Sequence, residues 1–293
     1  MLRMVLFLAT NFAVILLVHV IMSLLGLDQF SSANGINYVS LLVFASLFGF
    51  IGSFVSLAMS KWVAKRSVGA QVLDGTEGVQ AQWLVQTTHA LADRAGIGRP
   101  EVAIFRGEPN AFATGANRNN ALVAVSDGLL HSMSQDEVEA VLAHEVGHIA
   151  NGDMITMSLL QGVLNTFVIF LSRVVGQIIN NFLRSDDEES SSMGGIGYFV
   201  TVFVLEMVFG LLASIIAMWF SRQREYRADA SAAQLLGSPE PMIRALSALE
   251  RGRPAEGLPS AVSAFGIRNK PAFAALFASH PQISDRIARL QGR

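Results

Sequence analysis

Four long apolar stretches constrain this chain more than any other feature of its sequence. They cover residues 4–27, 36–59, 155–183 and 196–220. As helices that rise about 1.5 Å per residue, all four are long enough to cross about 30 Å of hydrocarbon. The composition, 52% hydrophobic and only 15% charged, also indicates an integral membrane protein. Four spans would place both termini on one side of the membrane.

The positions of Lys and Arg predict which side that is. Basic residues flank the first, second and fourth stretches: Arg3, Lys61, Lys65, Arg66, Arg222, Arg224 and Arg227. The segment between the first two stretches has none, and segment 184–192 is acidic and predicted to be disordered. Because short cytoplasmic loops carry an excess of Lys and Arg, we expect both termini and Lys61–Met154 to be cytoplasmic.

The third stretch is the least apolar of the four. It contains the polar residues Gln161, Asn165, Arg173, Gln177, Asn180 and Asn181. It could span the membrane, pack inside a bundle or lie at the interface. Arg173 and Glu206 of the fourth stretch lie at similar depths, so they could form an ion pair that faces the bundle interior. Alternatively, Arg173 could extend its guanidinium to the membrane surface.

The soluble segments predict one domain made of two parts of the chain. Residues 1–60 and 155–220 form two transmembrane hairpins in this interpretation, and residues 61–154 and 221–293 form the domain. A helix is predicted at Gln80–Ala95. The short apolar segments Glu101–Phe105, Ala111–Thr114 and Ala121–Val125 read as strands of a small antiparallel sheet. The predicted fold class is a mainly α integral membrane protein with four spans and an α+β domain.

The next helix carries a metal-binding motif. Ser134 followed by Glu137 forms a capping box that starts this helix. His144 and His148 are four residues apart, so both imidazoles leave the same face and can bind one Zn²⁺. Glu145 lies beside them and would act as the general base that takes a proton from the attacking water. A short match of this kind can also arise by chance on a solvated helix face.

A catalytic zinc needs a third protein ligand. The chain has no cysteine, so the ligands must be His or carboxylate. Glu225 and Asp229 share a helix face, so Glu225 can bind the metal while Asp229 accepts the outward N–H of His144. We expect one zinc ion per subunit. His19, His89 and His131 are weaker candidates, and an ordinary charged helix face remains an alternative for the carboxylate pair.

Five segments, in one order along nearly the whole chain, form a specific combination. They are Asn110-Ala-Phe-Ala-Thr-Gly115, Ser126-Asp-Gly-Leu-Leu130, His144-Glu-Val-Gly-His-Ile-Ala-Asn-Gly-Asp153, Arg222-Gln-Arg-Glu-Tyr-Arg-Ala-Asp229 and Ser279-His-Pro281. In these segments the chain resembles the HtpX family of membrane zinc proteases, with the CAAX prenyl endopeptidases and the mitochondrial Oma-type proteases as wider relatives. The resemblance implies a gluzincin-like protease domain with zinc bound by His144, His148 and Glu225.

The resemblance also implies how the protein acts and where. The expected location is the inner membrane of a bacterium, and the expected role is stress-linked quality control of misfolded or damaged membrane proteins. Residues Asn110, Ala111, Phe112, Ala113 and Thr114 resemble the edge strand that aligns a substrate peptide. His280 and Arg286 resemble a His and an Arg that the prenyl endopeptidases place near the oxyanion; alternatively, His280 only precedes a helix.

The expected partners are polypeptide substrates, membrane proteins above all, and the lipid bilayer. A formal net charge of −2 and the lack of a basic block exclude nucleic acid from the prediction. A non-enzymatic membrane scaffold and a transporter are the alternative classes. The complete set of zinc ligands favours an enzyme over a scaffold, and polar residues just before the motif place the cut at or outside the membrane surface.

Overall fold

The computed structural model describes residues 16–25, 31–32, 35–183, 191–252 and 279–292. Residues 16–24 are helical. The further helices are α1 (Tyr38–Val68), α2 (Val79–Arg94), α3 (Asp127–Ser132), α4 (Gln135–Asn151), α5 (Asp153–Leu183), α6 (Ser191–Leu236), α7 (Glu240–Gly252) and α8 (Ile283–Leu290). The strands are β1 (Ser31–Ser32), β2 (Gly35–Ile36), β3 (Gln71–Leu73), β4 (Glu101–Phe105), β5 (Ala111–Asn117) and β6 (Asn120–Ser126). The chain divides into two compact units, residues 1–56 with 158–217 and residues 57–157 with 218–293.

The first unit contains the apolar helices. Three helices in the described part of the chain are long and apolar enough to cross a membrane: Tyr38–Val68, Asp153–Phe182 and Ile196–Leu236. Large apolar side chains such as Phe199, Phe203 and Phe182 are exposed on these helices, as expected for a surface that contacts lipid. Most of the first predicted span, residues 4–27, lies outside the described residues. The count of four spans therefore stays a prediction.

Helices α1 and α5 pack closely against each other. A Cβ added to Gly49 would lie 2.7 Å from the carbonyl oxygen of Gly162, so the two backbones approach too closely for larger residues. Thr166 donates its hydroxyl to the carbonyl of Gly162 at 2.8 Å, and Ser158 donates to the carbonyl of Ser53 at 2.9 Å. Small residues that permit such contact, with hydroxyls that bond to backbone, are typical of helices packed in membranes.

The structure resolves the two alternatives for Arg173. Its Nη1 lies 2.8 Å from Oε1 of Glu206 and 3.2 Å from the carbonyl oxygen of Ile169. Its guanidinium carbon also lies 5.5 Å from the centre of the Phe44 ring. The charge is therefore paired within the first unit, between α5 and α6, which lowers the cost of an ionised group in an apolar segment.

The second unit contains a four-stranded sheet in the order β3-β4-β6-β5. β3 pairs antiparallel with β4, and β5 pairs antiparallel with β6, but β4 and β6 run parallel. The prediction of a wholly antiparallel sheet was therefore wrong. The turn at residues 118–119 makes β5 and β6 a hairpin, and the more deeply buried β6 takes the inner position beside β4. β5, which comes between them in sequence, becomes the edge strand.

Helix α4 lies at the centre of the second unit. It packs against α2, α7 and β5, and α8 packs in turn against α7. The core that these elements share is aliphatic and includes Leu84, Leu91, Leu129, Leu142, Ile149, Met242 and Leu246. The packing of α4 on several sides fixes the direction of its remaining face, which carries the predicted metal-binding motif.

Candidate metal centre

Helix α4 begins and ends at defined signals. The Ser134 hydroxyl accepts from the backbone N–H of Glu137, and the Glu137 carboxylate accepts from the backbone N–H of Ser134, which confirms the predicted capping box. The helix ends at Gly152, whose φ of 68° lies in the left-handed region that favours glycine. Between these ends the helix is regular, so His144 and His148 lie on one face.

Helix α6 approaches α4 closely at Gly147, because glycine has no side chain. This approach brings Glu225 and Asp229 of α6 to the face that carries the histidines. A Cβ at Gly147 would lie 3.0 Å from the Cβ of Ser231 and 3.2 Å from the carbonyl oxygen of Ala228, so only glycine permits the approach without a shift. Asn151 donates to the hydroxyl of Ser231 at 3.2 Å and links the two helices again. Glu225, on the same helix, is buried with 2% exposure.

Three side chains converge in the described part of the chain with the geometry of a metal site. The candidate ligand atoms of His144, His148 and Glu225 all lie within 4.8 Å of one another. Nε2 of His144 is 3.5 Å from Oε2 of Glu225, and Nε2 of His148 is 3.3 Å from Oε1. Ligands at about 2.0–2.1 Å from a tetrahedral metal are separated by about 3.4 Å, so these residues fit a Zn²⁺-sized ion.

The outward nitrogen of His144 contacts a second carboxylate. Nδ1 of His144 lies 2.9 Å from Oδ1 of Asp229, which is itself buried. Arg286 of α8 donates to both oxygens of Asp229, from Nη2 at 2.6 Å and from Nε at 2.8 Å. The bidentate pair fixes the Asp229 carboxylate, and through it the ring of His144.

His148 has a corresponding contact that the sequence analysis missed. Its Nδ1 lies 2.7 Å from Oδ2 of Asp153, the first residue of α5. Nη2 of Arg227, on α6, lies 3.3 Å from the other oxygen of Asp153. The only signal in the sequence is an Asp directly after Gly152, where the left-handed turn redirects the chain towards the preceding helix.

The carboxylates change the proton affinity of both imidazoles. Burial disfavours the charged form of His148, but hydrogen bonds with Asp153 and Glu225 outweigh it and raise the pKa of His148 to about 9. Burial likewise opposes the charge on His144, and hydrogen bonds with Asp229 and Glu225 raise the pKa of His144 above its ordinary value. Surroundings that favour a proton on these nitrogens also favour a divalent cation, which competes with protons for the same lone pairs.

The remaining predicted site residues lie around this group. Glu145 is 8% exposed and follows His144 on α4. Nδ1 of His280 lies 2.9 Å from Oε2 of Glu225, with most of the His280 side chain exposed. Arg286 is committed to Asp229, and its Nη1 lies 3.6 Å from the same oxygen of Glu225. The structure therefore brings His280 and Arg286 to the candidate metal ligands.

The predicted substrate strand lies beside α4. Residues 111–117 form β5, the edge of the sheet, and β5 packs against α4. Asn110 precedes the strand, and its backbone N–H donates to the hydroxyl of Ser126 at 2.8 Å. Phe112 packs against Phe105, with ring centres 5.6 Å apart. In the described part of the chain β5 is the last strand of the sheet, and its outer edge presents backbone groups with which an extended peptide can pair.

The other histidines lie outside the group. Nε2 of His89 contacts the carbonyl oxygen of Pro100 at 3.1 Å, and Nδ1 of His131 contacts the carbonyl oxygen of Asp127 at 2.6 Å. His19 lies in the helical residues 16–24.

Comparisons with known proteins identify the family of the chain. Residues 79–293 match the family described as Peptidase family M48. A protein named Protease HtpX homolog from Janthinobacterium sp. (strain Marseille) is 57% identical over 289 residues, which cover 99% of this chain and 98% of that protein. A second Protease HtpX homolog, from Paracidovorax citrulli (strain AAC00-1), is 56% identical with the same coverage.

A solved structure has the same fold. The crystal structure of S. mikatae Ste24p matches 98% of this chain with a TM-score of 0.68, and the match spans 64% of that longer chain. The identity is only 21%, so this similarity shows the fold alone. From the converging His and Glu side chains, the apolar helices and the near full-length similarity to the two relatives, we conclude that the chain belongs to peptidase family M48 and is a membrane-associated metalloprotease.

Proposed function

We propose that the protein is a zinc-dependent endopeptidase that cuts misfolded or damaged membrane proteins on the cytoplasmic side of a bacterial inner membrane. The observation that carries the proposal is the convergence of His144, His148 and Glu225 beside the buried Glu145. Two imidazole nitrogens and one carboxylate oxygen, without cysteine, suit zinc.

Each residue of the centre has a proposed role. His144, His148 and Glu225 hold the metal, one ion per subunit. When bound, zinc acts as a Lewis acid that polarises the scissile carbonyl and lowers the pKa of water at the site. Glu145 accepts the proton of the attacking water and then donates it to the leaving amine.

Neighbouring residues would orient the ligands and the substrate. Asp229 accepts the outward N–H of His144 and so leaves Nε2 free for the metal. Arg286 donates hydrogen bonds to both oxygens of Asp229. We therefore assign Arg286 to positioning Asp229 rather than to contacting the oxyanion. His280 is exposed beside Glu225, where it can donate to the oxyanion of a bound peptide. Asn110–Thr114 would align the substrate by main-chain hydrogen bonds.

A metal-replacement experiment tests the proposal. The protein is reconstituted in lipid vesicles, depleted of metal with a chelator and supplied with an unfolded reporter protein. We expect cleavage to stop when metal is removed and to return when about one equivalent of Zn²⁺ is added. Chelator that has been saturated with zinc beforehand serves as the control and should leave cleavage intact. Full cleavage by metal-free protein would contradict a metal-dependent mechanism.

The proposed membrane orientation rests on the basic residues that flank the apolar stretches. Residues 1–60 and 155–220 would form the transmembrane hairpins, and residues 61–154 and 221–293 the cytoplasmic protease domain. The chain has no cysteine, so single cysteines can be introduced without background labelling.

We expect cysteines placed at Ser190 and at Gln80 to react with a membrane-impermeant reagent from opposite sides of intact vesicles. Gln80 is exposed on α2, and Ser190 lies in the acidic segment. Both cysteines should react after detergent treatment, which controls for accessibility. Labelling of both from the same side would contradict the four-span topology.

A further inference from the structure

His148, the second candidate metal ligand on α4, has supporting residues of its own, different from Asp229 and Arg286. We infer that Asp153 is the positioning residue for His148 and that Arg227 holds Asp153 in place. This inference rests on the metal site of the proposed function. It concerns the chain's own side chains and how firmly they retain a divalent ion.

Burial shows that the Asp153 carboxylate is committed to these contacts. The Asp153 side chain is 0% exposed, and within the described residues one oxygen contacts Nδ1 of His148 at 2.7 Å and the other contacts Nη2 of Arg227 at 3.3 Å. A buried carboxylate is costly unless it is paired and hydrogen-bonded. Both partners belong to the metal centre or to the helix segment that carries Glu225.

The contact determines which nitrogen of His148 is available to a metal. A neutral imidazole that donates Nδ1–H to a carboxylate keeps its lone pair on Nε2, the atom that lies 3.3 Å from Oε1 of Glu225. The negative charge of Asp153 also increases the basicity of that lone pair. Asp153 therefore favours both the orientation and the electron density that a metal ligand needs.

The contact requires the break between α4 and α5. In a continuous helix of about 3.6 residues per turn, a side chain five positions after His148 would point about 140° away from it. The left-handed conformation of Gly152 ends α4, and Asp153 starts the next helix beside His148. The turn at Gly152 thus separates the two helices and also places the Asp153 carboxylate against His148.

The supports of the two histidines are unequal. Asp229 is held by Arg286 through two hydrogen bonds of 2.6 and 2.8 Å, and the Arg286 side chain is 9% exposed. Asp153 is held by Arg227 through one longer contact, and the Arg227 side chain is 54% exposed. A single contact from a half-exposed arginine contributes less than a buried, bidentate one. We therefore expect loss of Arg227 to have a smaller effect than loss of Asp153.

The test measures metal retention rather than proteolysis. Full-length protein loaded with Co²⁺ is mixed with excess chelator, and the release rate and the visible absorption spectrum are recorded. Asp153→Asn keeps an acceptor for Nδ1–H but removes the charge, and Asp153→Leu removes both. We expect metal affinity to fall about 10 to 100-fold in Asp153→Asn, further in Asp153→Leu, and less in Arg227→Gln, with faster release and a shifted spectrum.

Glu240→Gln is the matched control. Glu240 is the first residue of α7 as Asp153 is the first residue of α5, so both substitutions remove an acidic residue from a helix N-terminus. Glu240 is exposed and is not a member of the candidate metal group. The control should match the wild type in release rate and spectrum, and circular dichroism of the metal-free proteins reports folding.

Each outcome is decisive. The inference is overturned if folded Asp153→Asn and Asp153→Leu release Co²⁺ at the wild-type rate and keep the wild-type absorption spectrum. This holds even if their melting temperatures are lower. If neither variant folds, Arg227→Gln decides: faster release supports the inference, and unchanged release overturns it. Wild-type protein that binds no Co²⁺ or Zn²⁺ would instead overturn the proposed function, so the two failures are distinguishable.

Discussion

Replacement of Glu145 by glutamine is expected to lower peptide cleavage by at least about 10² to 10⁴-fold while zinc stays bound at about one ion per chain. Glutamine has nearly the same volume and helix propensity as glutamate, so the buried position on α4 should tolerate it. Its amide cannot accept a proton from the attacking water. Zinc content and cleavage of an unfolded reporter, measured on the same preparation, check both parts of this prediction.

Glu139→Gln provides the matched control, because it is the same substitution on the same helix, about 1.7 turns earlier. It should leave zinc content and activity near wild type. If Glu145→Gln retained substantial cleavage, or lost zinc as fully as His144→Ala, Glu145 would not be the general base. A scaffold role predicts in addition that Glu145→Gln leaves the biological role intact, because a binding surface needs no proton acceptor there.

Replacement of Glu225 by alanine is expected to have the largest effect on metal content, because only His144 and His148 would remain of the three ligands. Zinc content should fall from about one ion per chain towards zero, and cleavage should fall with it. Equilibrium dialysis against buffered zinc measures the affinity, and circular dichroism shows whether the helices persist.

The comparison with Asp229→Asn makes this prediction specific. Asp229 contacts the outward nitrogen of His144, so its loss should weaken zinc binding only about 10 to 100-fold. Glu250→Ala, an exposed Glu on α7, should have no effect. A larger loss of zinc in Asp229→Asn than in Glu225→Ala would mean that the ligand assignment is wrong.

The sequence predicts much of the candidate site because local rules decide it. The capping box at Ser134 and Glu137 depends on residues three apart, and the common face of His144 and His148 depends on residues four apart. Glu225 and Asp229 follow from the same spacing on another helix. The helical period is fixed by the backbone, so such arguments do not depend on the rest of the fold.

The sheet order could not be predicted in the same way. Alternating and apolar patterns identify β4, β5 and β6 as strands, but the neighbour of each strand depends on burial across the whole sheet. The residues of β6 from 121 to 126 are all buried, and this burial places β6 inside and leaves β5 at the edge. Because β6 rather than β5 lies beside β4, the pairing with β4 is parallel.

The contact of Asp153 with His148 was missed for a different reason. Helical spacing places position i+5 on another face, so the spacing that pairs His144 with His148 does not predict a contact between His148 and Asp153. Only the left-handed backbone of Gly152 turns Asp153 back to His148. The pairing of Arg173 with Glu206, by contrast, was one of two alternatives, and only the rotation of α5 and α6 could decide between them.

The continuity of α6 has a consequence for biosynthesis. His144 and His148 precede the apolar helix α5, and Glu225 follows the apolar part of α6 without a break in that helix. A ribosome therefore delivers the first two metal ligands well before the third. The helix that carries the third ligand must also place its apolar residues in the bilayer. We infer that a nascent chain that has not yet emerged as far as Glu225 lacks the third candidate ligand and therefore cannot hold a complete metal centre.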